Sequence, residues 1–316
     1  MKLWITRPMP PGVTDRARAE FGAEIRDSTA PLDPDELIYA LRAFDVVIPT
    51  LGDLFSARVF KQVPQPRCRL LANFGVGFNH IDVAAARAAG VQVTNTPGAV
   101  TDATADIAMT LLLATARRAG EGERLVRSGA WQGWHPTQML GHHVTGKRVG
   151  IVGMGRIGQA IARRCHFGFG MQVAYHSRSP KALDFPADYS SDLSALAAGV
   201  DFLVIAVPGG VETFHLIDGA VLAAMRPSAI LINIARGEVV DEAALIHALQ
   251  ARQIAGAGLD VYEFEPAVPQ ALRDMENVTL LPHLGTATEE VRTDMGHMAL
   301  DNVAAFAAGR PLPNPV

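Results

Sequence analysis

The first 100 residues alternate short apolar runs with stretches of helical periodicity. The helical stretches lie between these runs and include Asp35–Arg42 and Asp82–Ala89. Each apolar run ends in Gly, Pro or polar residues and is typical of a buried strand. The predicted strands are Lys2–Thr6, Phe44–Ile48, Leu70–Phe74 and Val91–Thr94. This alternation predicts a small α/β unit.

The segment that follows predicts a turn, a long helix and a connector. From Asn95 to Asp106 the chain reads N-T-P-G-A-V-T-D-A-T-A-D, a turn that enters the helix. We expect this helix to run from Thr101, a candidate N-cap, to Arg118, with a basic pair at its C-terminal end. Gly129–Thr145 is rich in Trp, His and Gly, and its composition predicts a connector.

A second series of strands and helices begins at Lys147. Its helices include Arg156–Phe167 and Asp241–Arg252. Its six predicted strands are Arg148–Val152, Gln172–His176, Asp201–Val207, Ala229–Ile234, Ala255–Leu259 and Val278–Leu281. Six strands joined by helical crossovers favour a doubly wound parallel sheet.

The last predicted helix, over about 288–308, comes after this second sheet is complete. We therefore expect it to pack on the first unit. This predicts a nucleotide-binding domain of residues 99–285, inserted into a smaller α/β domain that is made of residues 1–98 and 286–316.

Composition excludes several function classes. The chain has 316 residues, of which 49% are apolar and 19% are charged, so both domains can bury a core. The formal net charge of -4 provides no basic excess for a nucleic-acid partner. We see neither an apolar run of about 18 residues for a membrane span nor a signal-peptide core. The two cysteines lack the spacing of metal ligands or of a disulfide scaffold. We therefore expect a soluble, cytoplasmic protein without a metal site.

A glycine motif follows the first strand of the second series. Gly153, Gly155 and Gly158 form G-x-G-x-x-G and open an amphipathic helix. In this context the first glycine permits a tight turn, the second lets the backbone approach a pyrophosphate, and the third lets helix and strand pack closely. The helix N-terminus offers free N–H groups and a partial positive charge to the phosphates. The motif predicts a bound dinucleotide.

The end of the next strand indicates which dinucleotide is preferred. An enzyme that uses NAD places an Asp or Glu there, on the ribose hydroxyls. Here the chain has Ser177, Arg178 and Ser179 instead, and the first acid is Asp184. A guanidinium pairs well with a phosphate, so this loop favours the 2′-phosphate of NADP(H), while NAD(H) remains possible.

Three later segments place a charged residue after a predicted strand. They carry Arg236, then Asp260 and Glu265, and then His283. Reduction of a 2-keto acid needs a cation that holds the carboxylate, an acid that protonates the alkoxide, and a partner that favours the protonated acid. Arg, His and a carboxylate suit these three tasks. The set predicts a 2-keto acid reductase.

These segments resemble the D-isomer-specific 2-hydroxyacid dehydrogenase family. The resemblance lies in the glycine turn, N-I-A-R-G-E-V-V-D-E-A-A-L, G-A-G-L-D-V-Y and P-H-L-G-T-A-T, and extends over nearly the whole chain. It implies a Rossmann domain inserted into a flavodoxin-like, substrate-binding α/β domain, and a homodimer. It also implies that Arg236 binds substrate and is catalytic, that His283 is the acid/base, and that Glu265 is its partner.

The resemblance further implies the residues that contact the ligands. The N–H groups of Val76 and Gly77 would receive the substrate carboxylate, and Leu51 and Gly52 would face the same pocket. The expected cofactor-binding set is Thr104, Gly153, Gly155, Arg156, Ile157, Gly158, Ser177, Arg178, Ser179, Val207, Pro208, Thr213, Ile234, Ala235, Asp260 and Gly285.

Within the family the chain most resembles glyoxylate/hydroxypyruvate reductases. The segment G-A-W-Q-G-W-H-P resembles one in which a Trp reaches the substrate site of the partner subunit, here Trp134, although packing at a dimer interface explains it equally well. A departure is Gly209-Gly210, where many relatives carry bulkier residues, so reduction of hydroxyphenylpyruvate or another bulky 2-keto acid stays open. A dinucleotide-sensing, corepressor-like binding protein is the alternative from a different class.

Overall fold

Two compact units make up the chain, and each is built on a parallel β-sheet. The computed structural model describes all residues from Met1 to Val316. Unit 1 comprises Met1–Val100 and Thr286–Val316, and unit 2 comprises Thr101–Gly285. The two sheets with their helices confirm the predicted α/β fold class. None of the helices combines the length and the apolar character that crossing a membrane requires.

Unit 1 has a five-stranded sheet in the order β2-β1-β3-β4-β5, with all neighbours parallel. This is the flavodoxin-like order. Its strands are β1 (Leu3–Ile5), β2 (Glu24–Ile25), β3 (Val46–Ile48), β4 (Leu70–Ala72) and β5 (Gln92–Thr94). Its helices are α1 (Pro11–Phe21), α2 (Pro34–Ala43), α3 (Ala57–Gln62), α4 (Val83–Ala88) and α12 (Glu289–Ala307). The edge strand β2 escaped sequence prediction because two residues make no apolar run.

The last helix of the chain packs on this sheet. Its N-cap is Thr288, whose hydroxyl accepts a hydrogen bond from the N–H of Val291 at 3.2 Å. Ala299, Leu300 and Val303 are buried in one cluster with the side chains of β1, β3 and β4. The prediction that this helix packs on the first unit is therefore confirmed.

Unit 2 has a seven-stranded, fully parallel sheet in the order β12-β11-β10-β9-β6-β7-β8. Its first six strands along the chain follow the Rossmann order. The strands are β6 (Arg148–Val152), β7 (Gln172–His176), β8 (Ala187–Ser190), β9 (Phe202–Ile205), β10 (Ile230–Asn233), β11 (Gly256–Leu259) and β12 (Val278–Leu280). The prediction of six strands was wrong, because β8 reads A-D-Y-S, lies at the edge and lacks an apolar run.

The helices of unit 2 connect these strands. They are α5 (Thr101–Ala116), α6 (Ala119–Arg127), α7 (Arg156–Arg163), α8 (Leu193–Ala198), α9 (Gly219–Ala224), α10 (Glu242–Gln250) and α11 (Gln270–Arg273). α5 includes Thr101 as its first residue, so Thr101 is not its N-cap, and it ends two residues before Arg118. α7 continues into one π-helical turn, Arg164–Gly168. Residues 130–135 of the predicted connector lie outside helices and strands.

Candidate active site

The glycine turn between β6 and α7 combines tight packing with open space. A Cβ at Gly158 would lie 1.9 Å from the carbonyl oxygen of Gly153, and a Cβ at Gly153 would lie 2.7 Å from that of Ala206. Gly153 also has φ +100, a conformation that favours glycine. By contrast, no atom lies within 4 Å of a Cβ at Gly155. The backbone is therefore tightly packed at Gly153 and Gly158, whereas the space beside Gly155 is open. This open space fits the close approach of a pyrophosphate.

The N-terminus of α7 adds hydrogen-bond donors at this turn. Gly155 is the N-cap, and no side chain caps the helix. Arg156 and Ile157 occupy the first two helical positions, where backbone N–H groups have no intrahelical partner. Such N–H groups and the helix dipole together favour an anion. These residues fit a dinucleotide phosphate.

The loop after β7 is polar and basic. The hydroxyl of Ser177 donates to the carbonyl of Ser179 at 2.7 Å, and Arg178 is exposed. Lys181 Nζ donates to Ser179 Oγ at 3.3 Å, so this loop holds a second cation besides Arg178. Asp184 pairs with Arg163. The sequence reasoning missed Lys181, although its position three residues after Arg178 was a signal for it.

The loop after β9 packs against Arg236. Thr213 Oγ1 donates to the carbonyl of Pro208 at 2.7 Å. A Cβ at Gly209 would lie 2.7 Å from Arg236 Cγ and 2.7 Å from Glu238 Oε1, so these side chains fill its space. Glu238 Oε1 also accepts the N–H of Gly210 at 3.0 Å. Arg236 and Glu238 therefore occupy the space beside Gly209, and Glu238 is a further residue that sequence reasoning missed.

Arg236 follows β10 in a turn that buried Asn233 shapes. Asn233 Nδ2 donates to the carbonyl of Arg236, and Asn233 Oδ1 accepts the N–H of Ala235, both at 3.0 Å. Arg236 Nη1 donates to the carbonyl of Ala235 at 2.6 Å. Burial lowers the pKa of the Arg236 guanidinium, while the charges of Glu265 and Glu238 oppose this. The charges of two carboxylates thus act on this cation.

His283 and Glu265 form a hydrogen-bonded pair in unit 2. His283 Nδ1 lies 2.8 Å from Glu265 Oε2, and each side chain is 30% exposed. Burial raises the pKa of Glu265, but the hydrogen bond and charge of His283, the N–H of Tyr262 and the charge of Arg236 outweigh it, so the pKa is lowered overall. Glu265 is therefore ionised beside the imidazole at neutral pH, and the ring keeps Nε2 for other contacts.

Asp260 holds the loop that carries His283. Its carboxylate accepts the N–H of Leu284 at 2.6 Å and the N–H of Gly285 at 2.8 Å. Its carbonyl accepts the N–H of His283, whose φ is +56. Burial raises the pKa of Asp260, and these backbone hydrogen bonds oppose the rise. Thr104 Oγ1 donates to the carbonyl of Gly285 at 3.1 Å. A positive φ is unusual for a His, and hydrogen bonds with Asp260 and Thr104 thus hold the loop in this conformation.

The predicted substrate segments of unit 1 lie in loops after β3 and β4. Leu51 and Val76 are each 36% exposed. Sequence reasoning missed two fully buried polar residues beside them, Asp53 and Asn73. Asn73 Nδ2 donates to the carbonyls of Gly75 and Gly77, both at 3.0 Å. His80 is buried and its Nε2 lies 3.0 Å from Asn73 Oδ1, so it supports this loop from inside the fold.

The connector after α6 exposes large apolar side chains. Trp134 is 79% exposed and Trp131 is 52% exposed. Val126 in α6 and Leu140 are also exposed. Three further residues of the predicted cofactor set lie in unit 2. Ile234 and Ala235 are buried directly after β10, and Val207 Cγ1 would lie 2.8 Å from a Cβ at Gly153.

Comparison with known proteins gives consistent matches over the chain. Residues 109–285 match the family described as "D-isomer specific 2-hydroxyacid dehydrogenase, NAD binding domain". The glyoxylate reductase of Thermococcus gammatolerans is 44% identical over 99% of this chain and 94% of its own length. The glycerate dehydrogenase of Hyphomicrobium methylovorum is 35% identical over 98% of this chain and 96% of its own.

Solved structures agree with these sequence matches. The NADPH-dependent glyoxylate/hydroxypyruvate reductase of Sinorhizobium meliloti, in complex with NADP and malonate, has a TM-score of 0.89. It is 36% identical to this chain, and the alignment covers 100% of this chain and 96% of that one.

Proposed function

Since the chain belongs to the D-isomer specific 2-hydroxyacid dehydrogenase family and is an NAD(P)-dependent oxidoreductase, we propose that it reduces glyoxylate and hydroxypyruvate with NADPH. The observation that carries this proposal is the 2.8 Å hydrogen bond between His283 and Glu265, in the same unit as the glycine turn. Relatives named glyoxylate reductase and glyoxylate/hydroxypyruvate reductase support the choice of substrates.

In the proposed reaction His283 supplies the proton. A reduced nicotinamide, when bound, would supply the hydride that the keto carbon of the substrate accepts. His283, protonated, donates from Nε2 to the carbonyl oxygen, because Nδ1 is engaged by Glu265. The product is the 2-hydroxy acid, and His283 is left neutral. Glu265 is ionised, accepts the hydrogen bond from Nδ1, and lies next to the imidazolium charge, which it offsets.

Arg236 holds the substrate in this proposal. Its planar guanidinium suits a carboxylate and the adjacent carbonyl oxygen, which it polarises. Gly209 lets the loop after β9 lie against the stem of Arg236, and Glu238 fixes that loop through the N–H of Gly210. Exposed Leu51 with Gly52, and Val76 with Gly77, contribute side-chain contacts and backbone N–H groups to substrate binding.

The cofactor preference rests on the loop after β7. Arg178 and Lys181 bring two cations and Ser177 and Ser179 two hydroxyls to the place where an acid would select NAD. Asp184 is paired with Arg163 and is not available to hold a ribose. This loop supports a 2′-phosphate and therefore NADPH. Asp260, Thr104 and Gly285 complete the proposed cofactor contacts.

We infer a homodimer, and exposed apolar side chains of unit 2 support it. α6 has no buried residue, and its Val126 is exposed, as are Trp131, Trp134 and Leu140 in the connector that follows. Aromatic residues are enriched at protein interfaces, and most soluble oligomers are symmetric. In the proposed dimer Trp134 reaches the substrate site of the partner subunit. Sedimentation at micromolar concentration should give a species of twice the 33.7 kDa chain mass, and a monomer would contradict it.

A substrate panel tests the proposed function. We expect turnover of glyoxylate and hydroxypyruvate with NADPH, slower turnover with NADH, and low activity on hydroxyphenylpyruvate. Higher kcat/KM for hydroxyphenylpyruvate would move the substrate class to bulky 2-keto acids. If NADPH binds but no 2-keto acid is reduced, the proposal is wrong and a binding protein that senses the dinucleotide is favoured.

A further inference from the structure

The turn that carries Leu51 and Gly52 in unit 1 is closed by backbone geometry. The N–H of Asp53 donates to the carbonyl of Thr50 at 3.1 Å, so these four residues form a β-turn. Gly52 is its third residue and has φ +97, the sign that a type II turn requires there. Leu51 and Gly52 are exposed at the tip of this turn.

The side chain of Asp53 folds back under this turn and is fully buried. Its carboxylate accepts five hydrogen bonds. Oδ2 accepts from Thr6 Oγ1 at 2.6 Å, from the N–H of Thr50 at 2.8 Å and from Thr50 Oγ1 at 3.2 Å. Oδ1 accepts from the N–H of Leu32 at 3.0 Å and from Arg7 Nη2 at 3.4 Å. One side chain thus joins the turn to the two residues that follow β1 and to the segment before α2.

Only a carboxylate satisfies this arrangement. An Asn side chain has one oxygen and one NH₂ group, and each side of the Asp53 carboxylate faces a backbone N–H that can only donate. Arg7 supplies the positive charge that a buried carboxylate needs. The Arg7 guanidinium also leaves little room for a side chain at position 52, because a Cβ at Gly52 would lie 3.1 Å from Arg7 Nη2.

The same turn is tied to the second predicted substrate loop. Thr50 forms a parallel bridge with Phe74, and the N–H of Phe74 donates to the carbonyl of Pro49 at 2.9 Å. Val76 and Gly77 follow two residues later. A shift of Thr50 would therefore move both loops.

We propose that Asp53, supported by Arg7, is a positioning residue that fixes Leu51 and Gly52 and thereby sets the affinity for the 2-keto acid. The proposal rests on the proposed function, in which these two residues contact substrate. Asp53 touches neither substrate nor cofactor, so its effect should appear in KM for the keto acid. The chemical step depends on residues of unit 2, so kcat should remain close to that of the wild type.

Asp53→Asn tests this positioning role. We expect KM for glyoxylate to rise about tenfold, since one buried N–H loses its acceptor, while KM for NADPH stays unchanged. Asp45→Asn is the matched control. Asp45 lies in the same unit and accepts hydrogen bonds from Arg67 and the N–H of Lys2, at the opposite ends of the strands. This control should keep both KM values.

The outcomes separate the two proposals. A folded Asp53→Asn enzyme with the KM of the control would overturn the positioning role, whereas an inactive wild type would overturn the proposed function instead. If Asp53→Asn does not fold, Thr6→Val decides the question, since it removes only the 2.6 Å hydrogen bond to Asp53. It should raise KM for glyoxylate less than Asp53→Asn would, and an unchanged KM would contradict the proposal.

Discussion

Two carboxylates, Glu265 in unit 2 and Asp53 in unit 1, differ in what surrounds them. Glu265 is 30% exposed and meets a titratable partner, His283. Asp53 is fully buried and accepts its five hydrogen bonds from groups that do not exchange protons near neutral pH. The first arrangement can change its protonation during a reaction, while the second can only hold a shape. The partners of a carboxylate, more than its residue type, thus indicate whether it takes part in proton transfer or supports the structure.

The same contrast separates the two units. In unit 2 the proposed reacting groups are side chains, Arg236 and His283, at the ends of parallel strands. In unit 1 the proposed substrate contacts are backbone N–H groups and small turns that buried Asp53 and Asn73 hold. We therefore expect substitutions in unit 2 to change kcat, and substitutions in unit 1 to change KM for the keto acid.

The largest effect should follow from His283→Ala. Loss of the proton donor should lower kcat for glyoxylate by about 10²- to 10⁴-fold, the usual contribution of general acid catalysis. NADPH binding should persist, and fluorescence titration of the nucleotide can measure it. His247→Ala in α10 of the same unit is the control and should retain activity. An active His283→Ala enzyme would contradict the expectation that substitutions in unit 2 change kcat.

A smaller effect is expected from Arg236→Lys. The ammonium keeps the charge but loses the planar fork, so kcat/KM for glyoxylate should fall by roughly 10- to 100-fold, as for loss of a charge-assisted hydrogen bond. Steady-state kinetics at saturating NADPH would measure this fall. Wild-type efficiency in this variant would show that another cation holds the substrate.

The third prediction concerns the cofactor alone. Arg178→Ala should weaken NADPH binding by about 1–3 kcal/mol and leave NADH binding unchanged, because only NADPH carries the 2′-phosphate. Lys181→Ala should show the same selectivity with a smaller loss. Arg273→Ala, which removes an exposed cation from α11 of the same unit, is the control. Equal losses for both nucleotides would refute the 2′-phosphate assignment.

Much of the fold was predictable because the apolar pattern records burial. The bounds of β6 and β7 agree with the prediction, since both strands have buried apolar centres. The two missed strands, β2 and β8, lie at sheet edges and are exposed or polar. Where a strand is not buried, its sequence carries no apolar run for the pattern to detect.

The site was predictable to the extent that its chemistry resides in residue type. A Gly turn, an Arg, a Glu and a His at strand ends indicate a reaction before any contact is known. The residue type of a residue that holds a loop in place gives no such indication, because its role depends on contacts with residues that are distant in sequence. Asp53 meets Thr6 across 47 positions and Leu32 across 21. Glu238 meets Gly210 across 28 positions.

The pH dependence of Glu265→Gln tests the central claim, that Glu265 and His283 act together in proton transfer. The pKa of Glu265 is lowered from its ordinary value of 4.5, so its negative charge is present across the neutral range and is lost only as the pH falls below that value. Gln removes this charge at every pH and leaves the imidazolium less stabilised.

Profiles of kcat/KM for glyoxylate reduction should be measured for the wild type and for Glu265→Gln, with Glu263→Gln as a neighbouring control. We predict that the alkaline fall of the Glu265→Gln profile begins at a lower pH, while activity persists better at acidic pH, and that the control keeps the wild-type limb. An alkaline limb that does not move in Glu265→Gln would contradict the coupling of the two residues.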